Sequence, residues 1–410
     1  MTRVVVTGVG AVSPLGIGVD ALWTGLTEGR SGIAPIQNFD ASDLDVRIAG
    51  EVNDFVPRDF MDFKAAKRMD RFAQFAVAAT REALEMANFE VTEDNSTRVG
   101  VMMNTGGGGF PTIEREVIVK AEKGPKRVSP FLIPMFAPNM ASTQVSMQFG
   151  IHGPTATSVA ACAAGIQAFV DAVHMIERGD ADVVVTGGTE GGITPVALAS
   201  LSNMGALSRN NDNPTSASRP FDTARDGFVF SEGAGVAILE SEEHAARRGA
   251  NVLAAVGGGS YTCDAFHITA PDPEGKGASR AMKQAMKRSG LQPEDFQYVA
   301  AHATATNIGD IAETGAVKQA FGDHAYKLAL SANKSMVGHL LGAAGAISSL
   351  ACILAIRDGI VPPTINLENQ DPACDLDYVP NVARKLEVKH ALANGFGFGG
   401  QNAVCVFSEA

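Results

Sequence analysis

The chain has 410 residues and a mass of 42.6 kDa, with 45% hydrophobic and 19% charged residues and a formal net charge of −12. This much apolar material is enough for a large core, and the low charge excludes an intrinsically disordered chain or a coiled coil. The acidic balance argues against nucleic acid as the main partner. The composition is therefore typical of a soluble enzyme.

Predicted strands and helices alternate along the chain, which favours an α/β fold with helices packed on mixed or parallel sheets. The strands are expected at residues 3–7, 99–103, 155–160, 181–186, 252–256, 298–302 and 327–331, and the helices at residues 62–87, 166–177, 277–288 and 343–357. The uncharged stretch 340–356 is short for a bilayer and rich in Gly, Ala and Ser, so we interpret it as a buried core helix rather than a membrane span.

Two segments resemble each other at a distance. AACAAGIQAFVDAVHMIERGDADVVV (160–185) and GHLLGAAGAISSLACILAIRDGIVPP (338–363) both place a reactive side chain before a small-residue helix. We predict a duplicated βαβ-rich unit with halves 1–250 and 251–410 in one compact body. Chance similarity of two Ala/Gly-rich helices is the alternative.

The cysteines indicate a reducing compartment. Five are present, an odd number without a CxxC pair: Cys162, Cys263, Cys352, Cys374 and Cys405. A disulfide framework or zinc site is therefore disfavoured. The first residues are strand-like and do not form a signal peptide, so a cytoplasmic protein is expected.

Two glycine clusters invite nucleotide binding and are better explained otherwise. Gly8-Val9-Gly10 follows a strand, but Ser13 stands where a dinucleotide fingerprint has its third glycine, so we predict a turn. The run 106–109 lacks the Lys-Ser/Thr of a phosphate-binding loop, and it indicates close backbone approach or a flexible cavity lining.

Cys162 is the strongest candidate for a reactive residue. It lies in SVAACAAG, where a predicted strand passes into a helix that begins near Ala163. The N–H groups and positive dipole end of such a helix are expected to lower the pKa of the thiol and to stabilise an oxyanion. The alternative for any single cysteine is a small buried hydrophobic residue.

Two histidines and a lysine complete a set suited to acyl chemistry. His302 ends the predicted strand YVAAH, and His339 opens the helix GHLLGAAG, with Lys334 five residues earlier. A helix N-terminus disfavours imidazolium, so we expect His339 to stay neutral and to donate a hydrogen bond to a developing oxyanion. Taken alone, each histidine could equally be a core residue.

These motifs and NGFGFGG (394–400) occur in an order that resembles the β-ketoacyl-acyl-carrier-protein synthases of the elongating, type II (FabF-like) kind. The resemblance runs from VVVTGVGAVSPLG (4–16) through SRPFDTARDGFVFSEGAG (218–235) to VPPTINLE (361–368). It implies the thiolase-like fold, an α/β architecture of two halves in five αβαβα layers, usually in a homodimer. The implied activity is decarboxylative condensation of an acyl thioester with malonyl-carrier, without a metal or diffusible cofactor, because phosphopantetheine arrives on the carrier.

The resemblance also implies roles for individual residues. Cys162 would accept the acyl group, His302 and His339 would promote decarboxylation, and Lys334 would organise the site. The remaining roles are an oxyanion hole and gate at Cys162, Phe396, Phe398 and Asp264, phosphopantetheine contacts at Thr304 and Thr306, and an acyl pocket at Gly107, Leu132 and Leu201. Gly107 replaces a commonly bulky residue, which predicts extra room for the acyl chain. The alternative is that Phe110, Leu132 or Phe136 fills this space.

The acidic carrier protein of such enzymes requires a basic surface. One predicted helix carries basic residues at i, i+3, i+4 and i+7, which are Lys64, Lys67, Arg68 and Arg71. Lys126 and Arg127 form a second cluster, and together these residues are the predicted carrier-binding surface. A solvated helix face is the alternative. A rival basic stripe contains Arg280, Lys283 and Lys287, and only the resemblance favours the first.

The sequence departs from the family pattern at several positions. Ser348 replaces a glutamate behind the lysine, Gly205 an arginine, Gln401 a threonine, and AHATAT the usual AHGTST. We expect a more weakly held Lys334 but retained activity. The alternatives are a synthase of a specialised polyketide or polyene pathway, a chain-length-factor-like partner subunit, and a thiolase, which would have a second cysteine before the terminal glycine loop.

Overall fold

A computed structural model describes residues 2–410. The strands are β1 Val4–Ser13, β2 Gly16–Ile17, β3 Ala34–Pro35, β4 Ile48–Ala49, β5 Val99–Asn104, β6 Thr155–Ala156, β7 Val183–Glu190, β8 Gly233–Ser241, β9 Ala254–Cys263, β10 Tyr298–Ala300, β11 Ala329–Ser331, β12 Ile360–Val361, β13 Arg384–Lys385, β14 His390–Gly397 and β15 Gln401–Ser408. The helices are α1 Val19–Thr27, α2 Phe63–Ala66, α3 Arg71–Met86, α4 Phe110–Lys123, α5 Leu132–Phe136, α6 Met140–Phe149, α7 Ala164–Glu177, α8 Pro195–Asn203, α9 Glu242–Arg247, α10 Lys276–Ser289, α11 Asn307–Phe321, α12 Lys334–Val337 and α13 Ala344–Asp358.

The main sheet has the strand order β11-β10-β14-β15-β9-β1-β8-β7-β5-β6, with β2 attached to β1. Its centre is the antiparallel pair β1 and β9. On each side of this pair come two antiparallel neighbours, β8 and β7 or β15 and β14, and then two parallel strands. The two halves of the sheet therefore repeat the same pattern, as the alternation of predicted elements suggests.

Helices cover this sheet in layers. α7 and α13 contact strands of both halves and form the middle layer, while α3 packs against β1 and β8 and α10 packs against β9 and β15 from outside. α13 is buried along nearly all its length because its residues are small or apolar on every side. The result is the predicted five-layer α/β arrangement; the division at residue 250 stays a prediction.

The helix 341–358 is long and apolar enough to cross a membrane by length and composition, but 78% of this window is buried inside the fold. Its neighbours are strands of both half-sheets rather than lipid. This agrees with the interpretation of residues 340–356 as a core helix.

Three local predictions are wrong. The helix expected at 62–87 is two helices, because Asp70 is extended (φ −75°, ψ 162°) and its carboxylate accepts a hydrogen bond from the Thr112 N–H at 3.0 Å. The strand expected at 155–160 covers only Thr155–Ala156. Gly8 and Gly10 lie within β1 instead of a turn, where added Cβ atoms would come within 2.2 and 1.9 Å of carbonyl oxygens of α3.

Candidate active site

A cavity of about 360 Å³ opens between the two halves of the fold. Cys162, His302 and His339 line it, and they come from segments far apart in the sequence. The rest of its wall includes Phe396, Phe398, Asp264, Thr304 and Thr306. The fold therefore brings together the residues that the sequence predicts for acyl transfer and for binding the phosphopantetheine arm.

Cys162 lies at the start of the central helix α7. Ala161 has a positive φ of 46°, which turns the chain into the 3-10 turn Ala161–Ala163 and then into α7. The thiol is 5% exposed, and its side chain reaches the cavity. A Cβ atom at Gly397 would lie 3.0 Å from the Cys162 nitrogen, so glycine is needed for the terminal loop to pack against this turn.

The pKa of Cys162 differs from expectation. Burial raises the pKa of the thiol to about 11, whereas the position at a helix N-terminus predicts a lowered pKa. The charge of Lys334 and the backbone N–H of Phe398 act in the opposite direction but do not offset the desolvation. The resting group at neutral pH is thus a thiol, and its proton must leave as the sulfur attacks.

The two histidine rings lie edge to face, with centroids 5.5 Å apart. The rings of Phe228 and Phe396 flank them, at 5.1 Å from His339 and 5.6 Å from His302. Burial lowers the pKa of both imidazoles well below the usual value, and the charge of Lys334 acts in the same direction. His339 is therefore neutral, as predicted. The main cause of its lowered pKa is desolvation and not a helix N-terminus, since the α-helix begins only at Ala344.

A buried lysine and a buried carboxyl group contact the backbone of His302. Lys334 Nζ donates to the His302 carbonyl oxygen at 2.5 Å, and burial lowers the pKa of this amine to about 8. Glu313 accepts the N–H groups of His302 at 2.8 Å and Ala303 at 2.7 Å, and its charge raises the Lys334 pKa. Sequence analysis did not single out Glu313, which lies mid-helix in α11; the nearby NIGDIAETG motif gives no local signal of this role.

The prediction of a weakly held Lys334 assumed that no carboxyl group compensates its charge, and this reason is wrong. Ser348 is indeed buried in α13 without a carboxylate. The compensating negative charge comes instead from Glu313 and, more remotely, Asp310, both of which raise the pKa of Lys334. The side-chain amide of Asn394 also donates to Glu313 at 2.9 Å, so this carboxylate is fully engaged.

The gate and pantetheine residues are close together at the cavity mouth. The amide of Asn402 donates to Asp264 at 2.7 Å, and the Asp264 N–H donates to the Gly400 carbonyl oxygen at 2.9 Å. The hydroxyl groups of Thr304 and Thr306 lie 3.1 Å apart. These contacts join the loop after β9 to the terminal glycine loop.

The predicted acyl pocket is only partly supported. Among residues 2–410, the wall of this cavity does not include Gly107, Leu132 or Leu201. The expected void at Gly107 is wrong, because a Cβ atom there would lie 2.3 Å from the ring of Phe110. Leu201 packs in the cluster around Phe228, which borders the cavity, and Leu132 lies in α5. Their assignment to the pocket stays a prediction.

The prediction that four basic residues lie along one face of a single long helix is also wrong. Lys64 lies in α2, and Lys67 and Arg68 lie in the exposed turn that follows. Arg71 begins α3 and forms an ion pair with the buried Glu232 at 2.7 Å, so it is not a free surface charge. Arg68 stacks over the ring of Phe131, 4.8 Å from its centroid, which brings it towards the exposed Lys126 and Arg127.

The fold and the cavity define a condensing enzyme with a thiolase-like architecture, and comparison with known proteins agrees. The models for the N-terminal and C-terminal domains of β-ketoacyl synthase match residues 1–245 and 253–368. The chain therefore belongs to the β-ketoacyl synthase family.

Within that family, the chain is similar to curated relatives and to solved structures along nearly its whole length. It is 50% identical to 3-oxoacyl-[acyl-carrier-protein] synthase 2 of Synechocystis over 407 residues, which cover 99% of this chain and 98% of the relative. The solved ishigamide ketosynthase/chain length factor is 35% identical with a TM-score of 0.93, covering 100% of this chain and 99% of that one. The AntDE:AntF complex, a type II polyketide synthase carrier protein with its ketosynthase bound to the hexaketide, is 32% identical with a TM-score of 0.92 and the same coverage.

Proposed function

We propose that this protein is a 3-oxoacyl-[acyl-carrier-protein] synthase of fatty-acid elongation. The observation that carries the proposal is the single cavity that joins Cys162, His302 and His339 in a full-length β-ketoacyl synthase fold. The chemistry is a decarboxylative Claisen condensation that lengthens an acyl chain by two carbons.

In the first step, the sulfur of Cys162 attacks the carbonyl carbon of the acyl thioester. The carbonyl oxygen accepts hydrogen bonds from the N–H groups of Cys162 and Phe398. The same N–H groups face the sulfur of Cys162 at rest. The bond to the phosphopantetheine sulfur then breaks, and that sulfur leaves with the proton given up by the cysteine. The product is an acyl group bonded to Cys162.

In the second step, malonyl-carrier binds and its carbon–carbon bond to the carboxylate breaks, releasing CO2. The electron pair forms an enolate whose oxygen accepts hydrogen bonds from His302 and His339. Because decarboxylation generates the carbanion, neutral imidazoles suffice and no strong base is required. The carbanion attacks the acyl-cysteine carbonyl, a carbon–carbon bond forms, and the sulfur of Cys162 leaves as a thiolate. The thiolate takes up a proton from solvent and returns to the resting thiol.

Lys334 and Glu313 orient His302 rather than react. Their hydrogen bonds hold the carbonyl oxygen and N–H of the same residue, so they fix the backbone that carries the imidazole. The proposed reaction requires no metal or diffusible cofactor, since the phosphopantetheine arm belongs to the carrier. Thr304 and Thr306 line the cavity, which supports a role for their hydroxyl groups in binding that arm.

An acidic acyl carrier protein is the proposed partner, with the chain acting in the cytoplasm. Its docking surface would combine Lys64, Lys67 and Arg68 with Lys126 and Arg127, which are all exposed. We also propose a homodimer through the free edge of β6. Apolar side chains in the segments preceding and flanking this edge are exposed, including Phe110 at 45%, Ile133 at 63% and Val159 at 55%.

The function is tested with acyl-carriers of defined chain length and malonyl-carrier. Mass spectrometry should detect 3-oxoacyl-carrier two carbons longer, together with released CO2, and no product with Cys162→Ala. Absence of condensation with every carrier tested would overturn the proposal. A chain-length-factor role is disfavoured by the cysteine at the cavity, since such subunits lack the nucleophile.

A further inference from the structure

Two glycine-rich turns occupy equivalent places in the two halves of the fold. β7 pairs in parallel with β5 and antiparallel with β8, just as β14 pairs in parallel with β10 and antiparallel with β15. These strands end in TGGTEGG (186–192) and NGFGFGG (394–400), which share three glycines when aligned without a gap. In this alignment Glu190 takes the place of Phe398.

The turns before the two central helices are equivalent in the same way. Leu341 has a φ of 42°, close to the 46° of Ala161, and each residue opens a 3-10 turn that leads into a central helix, α13 or α7. Cys162 in the first turn therefore corresponds to Gly342 in the second. A Cβ atom at Gly342 would lie 2.1 Å from the Gly106 nitrogen, so this second site is closed to any side chain.

Glu190 fills the closed site with a carboxyl group. Its side chain is fully buried, and Oε2 accepts the N–H groups of Gly106 at 2.9 Å and Gly342 at 3.1 Å. Oε1 lies 3.4 Å from the hydroxyl oxygen of Thr105. The N–H group that corresponds to that of Cys162 thus binds a permanent acceptor, whereas the N–H of Cys162 faces the reacting sulfur.

We propose that Glu190 is a positioning residue for the condensation step, because it fixes the turn that follows His339 against the glycine loop of the first half. The inference rests on the proposed function. The N–H and carbonyl oxygen of His339 are bound by Val229 at 2.7 Å and Ser231 at 3.0 Å. Glu190 holds the opposite end of the same turn at Gly342, so the backbone that carries the imidazole is fixed at His339 itself and three residues later.

The carboxyl group also influences the nucleophile. The charge of Glu190 raises the pKa of Cys162, which lies in the same half of the fold. Burial raises the pKa of Glu190 itself to about 7, and the charge of Asp70 also raises it. The hydrogen bonds from Gly342, Gly106 and Thr105 lower this pKa but do not offset the burial. The rate of Cys162 alkylation therefore reports on the charge of Glu190 separately from its hydrogen bonds.

The test uses the two separable steps of the reaction. Acylation of Cys162 requires the thiol and its N–H groups, whereas condensation also requires His339. In Glu190→Gln we expect acylation within about twofold of the parent and a condensation kcat lower by about tenfold or more, with KM for malonyl-carrier unchanged. Alkylation of Cys162 by iodoacetamide should become faster, since a negative charge near the thiol is removed.

Glu51→Gln is the matched control. Glu51 is also a buried carboxylate, 8% exposed, and it accepts the N–H groups of Gln37 at 2.7 Å and Asn38 at 3.3 Å outside the cavity. Its loss should lower the free energy of unfolding without separating the two steps. Glu190→Asp retains the charge but is too short to reach both N–H groups, so condensation should fall while the alkylation rate stays unchanged.

Equal slowing of both steps in Glu190→Gln, with unchanged alkylation of Cys162, would overturn the inference and leave a purely structural role. If that variant does not fold, Glu190→Asp decides in the same way, since equal loss of both steps contradicts positioning of His339. Failure of the unmodified protein in both steps would instead count against the proposed function.

Discussion

Nζ of Lys334 lies 2.5 Å from the carbonyl oxygen of His302, so the buried cation binds the backbone of a histidine rather than a carboxylate. This contact fixes His302 while keeping the positive charge beside the place where an enolate forms. Glu313 completes the arrangement by accepting the N–H of the same residue at 2.8 Å. Charge and orientation are therefore supplied by residues that need not touch the reacting atoms.

The first prediction separates the nucleophile from the decarboxylating histidines. Cys162→Ala should abolish condensation but retain CO2 release from malonyl-carrier, because His302 and His339 remain in the cavity. Parallel assays of CO2 and of 3-oxoacyl product measure this. Loss of CO2 release in a correctly folded Cys162→Ala variant would show that decarboxylation depends on the acylated cysteine.

The second prediction concerns the charge of Lys334. With the pKa lowered to about 8 by burial, the amine loses its proton as pH rises through that value, and CO2 release by Cys162→Ala should decline. Stability should change in the opposite direction. Between about 8 and 10.5, the ordinary pKa of a lysine, the unfolded chain binds the proton and the folded one does not, so this group's contribution to stability rises with pH.

Adding Lys334→Met to the same background provides the control for the pH profile. This variant should release CO2 more slowly at pH 7 and should lack the decline near pH 8, because the titrating amine is gone. An unchanged decline in the double variant would assign the titration to another group.

The third prediction concerns Ala303, which stands where the family pattern has glycine. Its φ is 24°, a region that L-residues other than glycine seldom adopt. Ala303→Gly should therefore raise the free energy of unfolding by about 1 kcal/mol, measured by urea denaturation. A loss of stability would mean that the methyl group, which is 1% exposed, contributes more through packing than the backbone strain costs.

The fourth prediction concerns the ring of Phe110, which occupies the space that was expected to be empty beside Gly107. Gly107→Ile should be destabilising because its Cβ atom would lie 2.3 Å from that ring. Phe110→Ala should relieve the clash. The double variant should therefore lose about 1 kcal/mol less free energy of unfolding than the sum of the losses in the two single variants. The same proteins, assayed with acyl-carriers of six to sixteen carbons, test whether Phe110 limits chain length.

Additive changes in stability would show that Phe110 moves freely away from an isoleucine at 107. Selective loss of long acyl substrates in Gly107→Ile, with recovery in the double variant, would place both residues at the wall of the acyl pocket. A uniform loss for all lengths would assign the glycine a backbone role only.

The fifth prediction compares the two basic surfaces. Lys67→Glu with Arg68→Glu should raise KM for the carrier about tenfold, with a smaller effect at high salt because screening weakens the attraction. Lys283→Glu with Lys287→Glu is the matched control, since these exposed lysines lie on α10. A larger effect of the α10 pair would move the docking surface to that helix.

Local sequence was sufficient wherever the determining interactions are local. The apolar, small-residue stretch that became α13, the position of Cys162 just before a helix and the order of the motifs around His302 and His339 all follow from periodicity, glycine placement and short motifs. Predicted strands such as 99–103 and helices such as 166–177 lie within two residues of the observed ends. The family resemblance added the roles that no spacing contains.

Tertiary structure decided what depends on distant neighbours. The pKa of Cys162 follows from desolvation when folding buries the thiol, which opposes the local effect of a helix N-terminus. Asp70 divides the predicted helix because its carboxylate binds the N–H of Thr112, and Phe110 fills the space that the glycine run leaves. Glu313 and Glu190 acquire their roles only when folding buries them beside N–H groups from other segments, because a sequence fixes covalent neighbours while burial and charge pairing depend on the assembled chain.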